Sequence, residues 1–131
     1  MAFVLMLHSI LRWIIVVVGL FALVKFLVGW VRKNQFAKMD RGLQAGFSGL
    51  IDLQVTLGFI VFFWNGLVDG AGFPMVRIEH MITMLVAAVV AHFPSFKKKA
   101  ENKFAVAFFA VIGALVIIVL GVYRLPNGWS R

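Results

Sequence analysis

Seven ionisable side chains in this 131-residue sequence stand in or beside long apolar runs: His8, Arg12, Lys25, Asp52, Glu79, His80 and His92. Two histidines can hold a haem iron or another metal, and carboxylates beside bases can move protons or dock helices. His80 and His92 cannot share one iron. Twelve residues on one helix separate them by about 18 Å and turn them about 120° apart. The remaining pair is His8 with His80. It would bind one b-type haem, with Arg12, Arg77 or Arg124 meeting the propionates, and Met81 or Met84 standing in for one ligand. His8, His80 and Glu79 are also adequate ligands for zinc or non-haem iron. The plainer alternative is a His–Glu–Arg hydrogen-bonded cluster that holds no ligand.

The other charges suggest a buried polar network of Glu79, Asp52, Lys25 and His92. Depth along the helices pairs Lys25 with Asp52 and Arg12 with Glu79, which lowers the cost of burying each charge. Lys25 alone could instead snorkel to the surface. Ser48, Asp52 and Thr56 recur every four residues and so share one helix face. That stripe is expected to point into the protein, as hydrogen-bonding glue between helices or as a proton path with Asp52 as relay.

The elements that must position these residues follow from composition. The chain is 63% hydrophobic and 14% charged, with a mean hydropathy of +1.00. A soluble domain is nearer half apolar and a quarter charged. With this balance the expected solvent is a lipid bilayer. The net charge of +8 lies mostly in two short connections, which argues against nucleic acid as partner. There is no cysteine, which excludes disulfides and thiolate chemistry.

Four segments have about the length needed to span a membrane: residues 4–31, 45–66, 75–93 and 104–124. Short connections make neighbours antiparallel, so the expected fold is all-α, an integral membrane four-helix up-down bundle forming one transmembrane domain over residues 1–131. The first segment lacks a basic start and a cleavage site and is expected to be retained. Arg32, Lys33, Lys38 and Arg41 in the first connection, and Lys97, Lys98, Lys99 and Lys103 in the third, place those loops in the cytoplasm. Both termini then face the periplasm, and the chain is a multi-pass protein of a bacterial inner membrane.

The register of the first helix decides the histidine pair. If Trp13 and Trp30 are both interfacial, His8 lies about a dozen ångströms farther out than His80; drawn inward, with its centre near Val16, the helix brings the two together. The run "FIVFFW" (59–64) suits lipid contact and packing, or a quinone. Gly19, Gly58, Gly113 and Gly121 suit close helix approach. No P-loop, dinucleotide fingerprint, nucleophile elbow or HExxH occurs, which leaves open whether the chain is an enzyme.

The stretches "LHSILRW" (7–13), "IDLQVTLGFIVFF" (51–63) and "IEHMITMLVAAVVAH" (78–92) resemble a group of small bacterial four-helix membrane proteins labelled cytochrome-b-like. The resemblance covers most of the chain. It implies a b-type cytochrome and assigns no residue a role. The sequence departs from the cytochrome b561 pattern of four haem-ligating histidines for two haems, since it has three His in all. A two-haem transmembrane wire is therefore not expected. Three functions remain: an electron-transfer protein or subunit with one haem near the outer face, served by a quinone or protein partner; a non-catalytic accessory subunit of a larger respiratory or photosynthetic membrane complex; and proton or ion transfer through Asp52. The oligomeric state stays open.

Overall fold

The architecture, taken from a computed structural model, is described for residues 2–96 and 102–125. Helix α1 spans Ala2–Val31 and α2 spans Lys38–Phe63, continued by a wider π turn over Trp64–Val68. Helix α3 spans Met75–Ala91, α4 is a single turn over Phe93–Phe96, and α5 spans Lys103–Tyr123. Lys97, Lys98 and Lys99 of the third connection lie outside the described residues.

Local chemistry sets the helix ends. Asp40 Oδ2 accepts the Ala37 backbone N–H at 2.9 Å, which satisfies one orphan donor and places a carboxylate in the first turn of α2. The helix therefore starts at Lys38, ahead of the apolar segment that begins near Ala45. Asn102 Oδ1 caps α5 by accepting the Ala105 N–H at 3.1 Å. Helix α3 stops at Ala91 because Pro94 has no N–H to give back to Val90 as a continuing helix needs, and the chain restarts as the single turn α4. Gly70 and Gly72, both at positive φ, turn the chain between the π turn and α3.

The four long helices form a closed ring in the order α1, α2, α3, α5, each packed against the next, so α1 and α3 face each other diagonally. Three helices among the described residues are long and apolar enough to cross a membrane: α1, α2 with its π turn, and α5. The fourth expected span is shorter. Helix α3 has 17 residues, about 25 Å, since Pro94 cuts it off.

Small residues let the helices approach. Ala22, Ala87, Ala107 and Ala114 are fully buried. A Cβ on Gly19 would lie 2.9 Å from Phe47 and 2.8 Å from Leu115, so α1, α2 and α5 meet there over a missing side chain. At the end holding the first connection, Phe26, Phe36 and Phe104 form a ring cluster with centroids 5.1–6.4 Å apart. Phe104 presses into the space left by Gly29.

The ion pairs differ from those that depth suggested. Lys25 does not meet Asp52. Its Nζ donates to Asp40 Oδ1 at 2.8 Å, joining α1 to the first turn of α2. Arg12 does not hold Glu79, which pairs with Arg124 at 3.2 Å. Asp52 pairs instead with His92, whose Nε2 lies 2.8 Å from Oδ2. For Lys25 the depth itself differs from expectation, since Asp40 and Asp52 lie about 18 Å apart along α2; for Glu79, rotation about the helix axis selects Arg124 over Arg12.

Candidate functional site

A cavity of about 410 Å³ opens at the end of the bundle where α1 begins and α2 ends, within the range of small-molecule and cofactor sites. All four long helices wall it. His8 and Arg12 come from α1, Gln54 and Gly58 from α2, His80 and Met81 from α3, and Ile118 and Val122 from α5. The two histidines thus approach one space from diagonal helices.

The register of α1 comes from α2. Gln54 Nε2 donates to the His8 backbone carbonyl at 2.7 Å, tying the first turns of α1 to the middle of α2. The His8 ring sits against Gly58, where a Cβ would lie 3.3 Å from its Cε1 and 4.0 Å from Met81 Sδ. His8, Gly58 and Met81 are therefore level, and His80 is the residue before Met81. The contact ties His8 to the cavity that His80 also lines.

His80 Nδ1 lies 3.3 Å from the Gly121 carbonyl. With the proton on Nδ1 it donates to that oxygen, and Nε2 becomes the lone-pair nitrogen. This is the second-shell arrangement that orients metal-ligating histidines. Gly121 also permits the close passage of α3 and α5, since a Cβ there would run into Met84 and lie 3.0 Å from Thr83. Gly121→Val should therefore overpack this seam, lower stability by about 1–3 kcal/mol, and turn His80 out of register. Thermal unfolding of the purified variant measures the first effect. Gly121→Ala, which needs the Met84 methyl to swing aside and Thr83 to give by a few tenths of an ångström, should stay closer to the parent.

Arg12 is 7% exposed, with its guanidinium carbon 5.5 Å from the Trp13 ring centroid. Arg12 and Arg77 both line the cavity, and guanidinium groups at such a wall suit carboxylates of a ligand. Gln54 Oε1 is buried and meets no hydrogen-bond donor among the described residues, leaving an acceptor on the same wall. Much of the remaining wall is apolar, including Ile15, Ile51, Val55 and Met84.

The other candidates fall elsewhere. Glu79 is engaged by Arg124 near the rim and does not line the cavity. No group of three His, Asp or Glu placed to hold an ion occurs among the described residues. Asp52 and Thr56 face away from the bundle, while Ser48 is buried, so the polar stripe of α2 does not run inward. Lys25 and Asp40 stand at the far end of the molecule. Phe62 of the aromatic run lines the cavity, whereas Phe59 and Phe63 stack on each other at 6.1 Å.

Gln54 and Asp40 did not stand out in the sequence. Gln54 carried one usable signal, standing four residues before Gly58 and so on one face with it. Compared with protein-family models, with curated proteins and with solved structures, the chain finds no match. The fold and site define a small helical bundle with three candidate membrane spans and a deep mixed-polarity cavity.

Proposed function

We propose that the chain is an integral membrane protein whose cavity would hold a b-type haem, with His8 and His80 as the residues that would bind its iron. The observation that carries the reading is that two histidines from diagonal helices line one cavity. The residues fit the group in other respects. Gly58 leaves room for the His8 ring, the Gly121 carbonyl orients His80, and Arg12 and Arg77 supply cations for propionates. The apolar wall keeps water out. Met81 and Met84 line the same cavity, and a thioether there could supply the alternative sulfur ligand.

A haem supplies one-electron redox chemistry when bound. The chain's own part would be to offer the His8 and His80 imidazoles to the iron and the Arg12 and Arg77 guanidinium groups to the carboxylates. Arg32, Lys33, Lys38, Arg41 and Lys103 at the opposite end support, by the positive-inside tendency, a reading in which the cavity faces the outer side of a bacterial inner membrane. A quinone or a membrane redox partner would exchange electrons there.

Absorption spectra of the purified chain, oxidised and reduced, test the reading. A Soret band that sharpens and shifts on reduction is expected. A chain purified from cells with ample haem that shows no such band sinks it.

A further inference from the structure

Three of the long helices show the outside world large apolar side chains: Val17, Leu20 and Phe21 on α1, Ile82 and Val86 on α3, Phe109 and Val116 on α5. Helix α2 does not. Between Gly42 and Thr56 its outward face presents Gly42, Ala45, Gly46, Gly49, Asp52 and Thr56, with Leu53 the one large apolar residue among them. A Cβ at Gly42, Gly46 or Gly49 would meet nothing within 4 Å, so these glycines are not needed for packing inside the bundle.

Asp52 lies at the edge of this face toward α3, with its side chain 52% exposed and His92 Nε2 within 2.9 Å of both carboxylate oxygens. It stands twelve residues, about 18 Å, from Asp40 and thirteen, about 20 Å, from Asn65, near the middle of the helix. His92 caps the end of α3, so the pair runs from the middle of α2 toward the end of its neighbour; a carboxylate–imidazole pair within a span normally faces protein or water, because lipid solvates neither group.

We infer that this face of α2 is covered by a second copy of the chain, the two copies lying side by side about a two-fold axis along the membrane normal. The charge pattern selects that occupant. An acceptor carboxylate and a donor imidazole on one patch are self-complementary, so two copies can set Asp52 of each beside His92 of the other. The glycines allow the two α2 backbones to approach closely, as small residues do in membrane helix pairs. The inference rests on the membrane-spanning part of the proposed function and not on the haem.

The absence of cysteine makes single thiols clean reporters. Gly49→Cys and Ala45→Cys, each in the full chain in its native membrane, should cross-link to a product of twice the chain mass under mild oxidation. Val116→Cys on the lipid face of α5 should stay monomeric. Gly46→Ile, whose added side chain meets nothing within its own protomer, should weaken dimerisation in detergent by more than about tenfold while leaving the absorption spectrum unchanged. No product from either α2 cysteine, equal cross-linking of Val116→Cys, a product joined to a different protein, or undiminished dimerisation of Gly46→Ile overturns the inference. A carbonate wash separates the two levels: a chain that washes out fails the spanning premise, and one that stays without cross-linking fails the pairing.

Discussion

His80→Ala, purified from cells with ample haem, will lose the Soret band of the parent chain, with haem content falling by at least about tenfold, equivalent to about 1.4 kcal/mol of binding. His8→Ala will do the same. The two differ in what they disturb. His80 is oriented by Gly121 and takes part in the α3–α5 seam, whereas the His8 ring rests on Gly58 and its removal leaves the Gln54 bond to the His8 backbone in place. His92→Ala is the control, because His92 stands off the cavity beside Asp52; its spectrum should match the parent. Both ligand variants keeping a full Soret band would end the bis-histidine assignment. Loss in His80→Ala alone, with His8→Ala merely shifted, would point to Met81 or Met84 as the second ligand.

The second large effect is expected at the opposite end. Asp40 is 3% exposed and Lys25 32%. Lys25→Met would strand a buried carboxylate with the Ala37 N–H as its remaining bond in the pair's geometry. Breaking a fully buried pair costs about 3–5 kcal/mol; the partial exposure of Lys25 lowers the expectation to about 2 kcal/mol. Asp40→Asn keeps an acceptor for Ala37, so the double variant Lys25→Met with Asp40→Asn should recover part of the loss. Unfolding in detergent, read as a double-mutant cycle, measures the coupling. A cycle with no coupling would show that the pair does not dock α1 on α2.

The helices were legible because apolar length and short connections leave little choice of architecture. The meeting of His8 and His80 was legible only as one of two options, since the depth of α1 hung on whether Trp13 marks an interface. Its depth is set by a Gln54 contact to a backbone carbonyl, which no periodicity encodes. The acid–base partners were illegible for a related reason. Spacing places residues on a common face but not the direction in which that face points. Ser48, Asp52 and Thr56 share a stripe, yet Asp52 and Thr56 turn outward, and the assumption that polar means inward fails there. Asp40 was hidden because the first turns of α2 are polar and read as loop, although a carboxylate three residues past Ala37 is a helix-start signal. The length of α3 could have been anticipated from Pro94, which forbids the helix from continuing as far as its apolar composition suggests.

On the proposed membrane-spanning reading, that short α3 has a consequence for the surrounding lipid. With 17 residues it reaches about 25 Å, against about 45 Å for the 30-residue α1, and a hydrocarbon core is about 30 Å thick. The apolar belt is therefore uneven around the circumference, tall on the α1 flank and low on the α3 flank. In a bilayer the bundle must lean, or the membrane must thin beside α3. Either response sets a preferred orientation for the cavity mouth, and shorter acyl chains would gather at the α3 side.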